Sequence, residues 1–420
     1  MDAGTFSEQP SPRRTIKTRC CIIGGGPAGM MLGYLLGRAG VDTIVLEKHG
    51  DFFRDFRGDT VHPSTLQVMD ELGLIDGFLK LPHQQLQKMD GQFGGSSIRI
   101  ADLGRLRVKY PFIAFMPQWD FLNFLRESGK KFPSLKVMMS ADATDLIWSG
   151  DTIAGVKADT PEGPVEIRAD LTVACDGRHS IVREKARLEI EEIGAPMDVL
   201  WFRAGKAASE NESVFARVET GKMMVTFDRG DYWQCAYVIA KNQYDAVKAR
   251  GLDALRDDIV RMAPILKSGM ADVKSWDDVK LLTVAINRLK RWTRPGLLCI
   301  GDAAHAMSPV GGVGVNLAVQ DAVATANLLA AKLAKGFPSE QELDAVRKRR
   351  EFPVRMTQAM QVVVQNNIIS VALKPGEAPI KAPLVARIIN ALPWLQGITA
   401  RFVGLGVRPE HVHSPEVSKA

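Results

Sequence analysis

Short apolar runs, each stopped by a glycine or an acid, set the pattern of this chain. Cys20–Ile23 stops at Gly24, and Val41–Leu46 stops at Glu47. Residues 171–175 (LTVAC) run into Asp176-Gly177, and 297–300 (LLCI) run into Gly301-Asp302. Runs this short, bounded by turn residues, predict buried strands. Between the first two, Met30, Leu32, Leu35 and Leu36 supply one buried side of a helix that Gly40 stops. Strand, helix, strand opens a parallel α/β layer. Residues 213–241 and 91–115 differ. They break into short strands with turn signals such as "ETGK" and "DRGD", predicting one antiparallel sheet from 81–117 and 191–284. Residues 336–420 read as helical. Both ends, 1–15 and the final "RPEHVHSPEVSKA", predict loose tails.

The first strand and helix enclose Gly24, Gly26 and Gly29 in a G-x-G-x-x-G. Gly24 permits a tight turn, Gly26 leaves room for a pyrophosphate, and Gly29 lets helix and strand approach. Pro27 and Ala28 complete the turn, and the helix start offers free N–H groups and a partial positive charge. Glu47 follows Gly29 by 18 residues, where a carboxylate accepts from ribose hydroxyls, with Lys48 beside it. The arrangement predicts dinucleotide binding.

Two later motifs narrow the choice. "LTVACDGRHSIVREKA" (171–186) carries Asp176, Gly177, Ser180 and Arg183. "RPGLLCIGDAAHAMSPVGGVGVN" (294–316) carries Gly301, Asp302, His305, Pro309, Gly311, Gly312, Gly314, Val315 and Asn316. With "FRGDTVHPSTLQVMDELGL" (56–74) and "MPQWDFLNFL" (116–125), this set resembles the para-hydroxybenzoate hydroxylase-like FAD monooxygenases, the group A aromatic hydroxylases. The resemblance spans roughly 16–335.

The resemblance implies an α/β fold: a Rossmann-like FAD-binding domain of the glutathione-reductase type, an inserted antiparallel substrate sheet and a helical C-terminal segment. Its boundaries fall at 16–80, 118–190 and 285–335 for FAD, 81–117 and 191–284 for the sheet, and 336–420 for the helices. It implies non-covalent FAD, NADPH or NADH as co-substrate, and hydroxylation of an aromatic or polyketide-like substrate by oxygen through a hydroperoxyflavin. Asp302 would accept from a ribityl hydroxyl, more strongly than Asn could. Gly312, Gly314, Val315 and Asn316 would bring backbone and a helix start to the pyrimidine edge of the ring, where a helix dipole favours reduced, anionic flavin. Pro309 would wall the ring. Arg57 matches an arginine near the FAD phosphates, Gln118 a position near the ribityl chain, and Asp176 the adenine–phosphate region. Arg183 reads as a helix-surface residue and His305 as a structural histidine, so the catalytic base is unassigned. Val313 and Val315 depart from the family's usual Gln and Met. Trp201, Phe227, Trp233 and Tyr237 are candidates to line the substrate. Two alternatives are an FAD oxidoreductase of the same fold without oxygen insertion, and a flavin-free binding protein. Halogenation lacks its Trp-x-Trp-x-Ile-Pro signature.

Composition changes little. The 420 residues are 46% hydrophobic, and a net charge of +6 comes without a basic run or stacking platform that would suggest nucleic acid. The five cysteines show no metal spacing and predict reduced core thiols in a cytoplasmic protein, with no metal site. "PLVARIINALPWLQGITARFVGLG" is amphipathic enough to lie on a membrane, which would suit a quinone-like substrate. Pro393, Gly397, Gly404 and Gly406 instead favour packing on the domain. A monomer or homodimer is expected.

Overall fold

A computed structural model describes residues 14–53, 59–207, 216–374, 376 and 380–417. Its centre is an eight-stranded sheet. Four strands, Thr43–Leu46, Arg14–Ile23, Gly163–Ala174 and Leu297–Cys299, lie side by side and parallel, with Leu135–Met138 parallel beyond Thr43–Leu46. The four central strands are almost wholly buried at their C-terminal halves, as parallel strands covered on both faces must be, while the edge strand Leu135–Met138 is only partly buried. Asp142–Ser149 and Thr152–Thr160 add an antiparallel meander to the outer part of Gly163–Ala174. The Pro27–Arg38 helix packs against Gly314–Leu333, whose length and hydropathy would suffice to cross a membrane. Here that helix is the core: Val319, Ala322, Val323 and Ala326 are fully buried in the largest apolar cluster.

Above the C-terminal edge of this layer stands a seven-stranded roof. Its order is Lys280–Leu282, Met197–Gly205, Tyr232–Ala240, Lys222–Asp228, Ala216–Glu219, Lys88–Phe93 and Ser96–Asp102. All neighbours are antiparallel except one. Ala216–Glu219 pairs parallel with Lys88–Phe93, because that joint links two insertions distant in sequence and no hairpin dictates its direction. Two stretches expected in the roof leave it. Gln84–Leu86 and Ile113–Phe115 pair with each other, and Thr60–Val61 joins them, forming a three-stranded hinge between roof and base.

The described residues nearest each end make contacts that their composition does not predict. Arg14 and Thr15 already pair with Val165 and Glu166, since the meander extends the sheet outward to meet them. At the other end Glu410 is buried against Arg349 and Arg350, Val417 N–H donates to Arg38 O, and Arg38 pairs with Glu416. The polar tail is held by charges that had no visible partner in the linear chain.

Candidate functional site

The parallel register lines up four strand ends: Leu46 beside Ile23, Ile23 beside Ala174, and Ala174 beside Cys299. The next residues of each strand are therefore neighbours. Glu47, Gly24–Gly26, Asp176 and Gly301–Asp302 form one line along the carboxyl edge, the place where open α/β sheets bind ligands.

The first turn separates glycines that the fold needs from one that it does not. A Cβ on Gly24, whose φ is +100°, would lie 2.4 Å from Cys175 O. One on Gly29 would lie 1.9 Å from Gly24 O. Both positions are closed by backbone. A Cβ on Gly26 would meet nothing within 4 Å, although Gly26 caps the Pro27–Arg38 helix. The space over that helix start is open, and Pro27 stands at the first helical position. Glu47 is buried and organises the same turn: one carboxylate oxygen accepts from Gly25 N–H and the other from His49 N–H, each at 3.0 Å. Lys48 is exposed beside it.

The second and third motifs lock onto the first. Asp176 Oδ2 accepts from Val182 N–H at 3.2 Å, while its Oδ1 is buried without a partner. Burial pushes this carboxyl above its ordinary range, against the Ser180 hydroxyl and the nearby N–H groups. Gly301, at φ +60°, packs its α-carbon against Ala28 and Ala318, so the first and third motifs touch. The Asp302 carboxylate remains about one-third exposed, 3.9 Å from Arg178. Arg183 donates to Arg178 O and Ala303 O and clips these two motifs together. His305 faces inward. Its Nε2 is 2.5 Å from the fully buried Asp321, which also accepts from Gly301 N–H and from Arg350. Burial alone would raise the Asp321 carboxyl; His305 and Arg350 outweigh it and hold the group below the usual carboxylate range. His305 is thus part of the frame that holds Gly301.

After the third motif, Pro309 opens a turn at Val310–Gly312, and Gly314–Leu333 begins. Gly311 and Gly312 have φ of +78° and +64°, which a residue with a side chain rarely adopts. Gly312 is also in close contact with Thr60, whose hydroxyl donates to Gly312 O at 2.8 Å. Gly314 is uncrowded and Val315 is buried. The Asn316 side chain is committed within the protein: its oxygen accepts from His62 N–H and the Thr65 hydroxyl, and its amide donates to Thr60 O. It clamps the 60–65 segment to the helix start, so only its backbone is left for a ligand. His62 is fully buried, its Nδ1 2.8 Å from Val403 O, and burial pushes its imidazole down to about 4.

The roof's register divides the four aromatic candidates. Trp201 and Phe227 share the inner face and stack with centroids 6.0 Å apart, and Phe115 meets Phe227 edge-on at 5.1 Å. Trp201 lies in one apolar cluster with Val310, so this face directly covers the glycine turn. Trp233 and Tyr237 point the other way. They pair with Ala204 and Leu200 and are packed, with Met224, against the Leu252–Met262 helix. Strand alternation puts them one register off the inner face, and they are core.

Sequence reasoning missed the polar end of that face. Arg229, almost fully buried, donates from Nη2 to Asp59 at 2.6 Å and from Nε to Gln234 at 3.0 Å, and lies over Phe115. Its Nη1 is buried without a partner. Asp59 also accepts from the N–H of Gln118, the first residue of the Gln118–Gly129 helix. The signal was present in "FRGDTVHP" (56–63), but the partner lies 170 residues away. Arg57 lies outside the described residues.

Comparison with known proteins agrees with this arrangement. Residues 17–360 match the family model described as an FAD binding domain. The chain is 30% identical over 373 residues to 6-methylpretetramide 4-monooxygenase of Streptomyces rimosus, covering 88% of this chain and 89% of that one. Among solved structures, p-nitrophenol 4-monooxygenase from Pseudomonas putida DLL-E4 superposes with a TM-score of 0.71 at 21% identity, over 93% and 94% of the two chains. An anhydrotetracycline hydroxylase from Streptomyces rimosus gives 0.70 at 23% identity, over 94% and 77%.

Proposed function

The chain belongs to the FAD-binding-domain family, and from that premise we propose that it is an FAD-dependent monooxygenase that hydroxylates an aromatic or polyketide-type substrate, with a reduced nicotinamide as electron donor. The observation that carries the cofactor assignment is the open space at Gly26. It lies on the carboxyl edge of the parallel sheet, between the Glu47 carboxylate and the orphaned Asp176 oxygen. A long dinucleotide fits that line. Gly26 and the helix start would hold its pyrophosphate, Asp302 a hydroxyl of its ribityl chain, and the 309–314 turn its ring.

FAD, when bound, supplies the two-electron chemistry that activates molecular oxygen. The chain's own residues do the rest. Gly26 and the N–H groups of the helix start behind it would hold the phosphates. Gly311 and Gly312 present bare backbone where a ring must lie close, and Thr60 and Asn316 fix that backbone in place. Pro309 and Val310 form the wall on the roof side. Trp201, Phe227 and Phe115 offer a flat apolar face that orients an aromatic substrate and keeps water away, which favours productive oxygen chemistry over peroxide loss. Among the described residues no second G-x-G-x-x-G opens a helix, so the nicotinamide donor binds transiently against the FAD-binding layer.

Transient binding implies gating by substrate. Anaerobic stopped-flow reduction of the flavin by NADH or NADPH, with and without a panel of phenols and phenolic polyketides, tests this. A turned-over substrate should accelerate reduction, on the order of tenfold, or ~1.4 kcal/mol off the barrier. Equal rates with and without every phenol and polyketide of the panel would overturn the gating, and favour an oxidoreductase that does not insert oxygen.

A further inference from the structure

The two C-terminal helices, Leu384–Ala391 and Pro393–Gly404, are packed on one side only. On that side Ala400 is fully buried against Leu103 and Phe115, and the Thr399 hydroxyl donates to Ile100 O at 2.5 Å. Asn390 accepts from Arg99 N–H, and Gln396 donates to Ile389 O and Asn390 O, which locks the corner between the helices. The other side is apolar and uncovered. Leu384, Val385 and Trp394 are 68%, 67% and 62% exposed, and Ile388, Leu392 and Ile398 complete the face. Residues 384, 385 and 388 share one side of the first helix at i, i+1, i+4, Leu392 stands at the corner, and 394 and 398 share one side of the second helix at i, i+4.

The charges carried by the 381–408 segment itself have one sign, and the nearby Asp102 is paired with Arg105. Lys381, Arg387, Arg401 and Arg408 are exposed, and Arg105 lies against Gly397. The sequence has no Asp or Glu from 380 to 408. A second copy of this chain would bring the same positive rim against itself across a two-fold contact. An anionic surface is the complementary partner, and an apolar stripe with a tryptophan and a basic border is the chemistry of an interfacial helix.

We propose that the 384–404 helix pair docks this protein, reversibly, on the surface of an anionic lipid bilayer. The buried side of the pair gives the docking a purpose. Ala400 and Val403 share an apolar cluster with Phe227 of the inner roof face and with Phe115 of the three-stranded sheet. Only the Pro393–Gly404 helix therefore lies between the lipid-facing surface and these aromatic residues, and a poorly soluble substrate partitioned into the bilayer would be held near them.

The test is flotation of the full-length, flavin-loaded protein with phosphatidylglycerol/phosphatidylcholine vesicles, against pure phosphatidylcholine vesicles. The protein should float with the anionic vesicles, lose that binding at high salt, and stay behind with the neutral ones. Leu384→Ser/Ile388→Ser/Trp394→Ser and, separately, Arg387→Glu/Arg401→Glu should each lower vesicle binding by about tenfold or more, with flavin content and circular dichroism unchanged. Brominated lipid should quench a component of the tryptophan emission that Trp394→Phe removes. Failure of the wild-type protein to float, or flotation that survives both sets of substitutions, would overturn the proposal. A concentration-dependent dimer that the triple serine variant dissolves, with no vesicle binding, would assign the face to a second copy instead.

Discussion

Replacing Gly26 by alanine should separate the cofactor's needs from those of the fold. Gly26 sits at φ −72° and ψ −175°, a region open to any residue and the one preferred before a proline. The added methyl meets nothing within 4 Å. In the apoprotein two small effects oppose each other. Alanine is roughly 0.5–1 kcal/mol poorer than glycine as a cap, and it removes about 0.4–1 kcal/mol of unfolded-chain entropy. The apoprotein should therefore melt within roughly 2 °C of wild type. With FAD the methyl occupies the approach of the pyrophosphate. Losing one charge-assisted bond of about 1.5–3 kcal/mol weakens binding roughly tenfold to a hundredfold, and losing two weakens it more. Gly29→Ala is the contrast: its Cβ would sit 1.9 Å from Gly24 O, so helix and strand must separate. That overpacking costs about 1–3 kcal/mol of folding stability before any ligand is added. Thermal unfolding of the apoproteins and titration with FAD, followed by flavin fluorescence, measure both halves. Wild-type FAD affinity in Gly26→Ala would refute the placement of the pyrophosphate. An apoprotein as damaged as that of Gly29→Ala would show that the open space is not real.

Asp302→Ala should weaken FAD retention by about 1.5–3 kcal/mol, and unchanged flavin content after gel filtration would remove Asp302 from the site. Asp321→Asn leaves His305 without its anion and Arg350 with Glu410 alone, and should cost about 3–5 kcal/mol by urea unfolding. The folded Asp321 carboxyl lies below its unfolded value. Its contribution is thus complete above the ordinary carboxylate range near pH ~4 and is lost as pH falls through the folded value, so the variant should lose part of the acid-side decline in stability. Trp201→Ala should raise KM for an aromatic substrate while leaving the melting temperature nearly unchanged. Trp233→Ala should do the reverse and cost about 3–5 kcal/mol of stability as a buried large-to-small change.

How much of this was legible beforehand depended on the range of the interaction. The glycine turn, Glu47, the Asp176 turn and the Gly301-Asp302 turn each sit directly after an apolar run, so local pattern located them, and parallel pairing then made them neighbours. Face assignment in the roof was not local. Trp233 and Trp201 both lie in strands rich in apolar residues, and only the pairing of Ala204 with Trp233 and of Trp201 with Ala236 decides which of the two looks inward. The Asp59–Arg229 pair and the Glu410 strap join residues far apart in the chain, and a lone charge in a sequence does not name its partner. Asn316 stood in the right motif, but its side chain serves the 60–65 segment. The polar composition of 408–417 suggested a loose end, because nothing local reveals that Arg38, Arg349 and Arg350 hold it.

The central claim is that oxygen activated at the 309–314 turn ends up in an aromatic substrate held beneath Trp201 and Phe227. The most direct measurement is mass spectrometry of the product formed by the FAD-loaded protein with a reduced nicotinamide and isotopically labelled molecular oxygen, using phenolic and polyketide substrates that accelerate flavin reduction. The account predicts a hydroxylated product carrying one labelled oxygen atom in stoichiometry with nicotinamide oxidised. Oxidation of the nicotinamide accompanied only by hydrogen peroxide, or a product whose new oxygen is unlabelled, would contradict it.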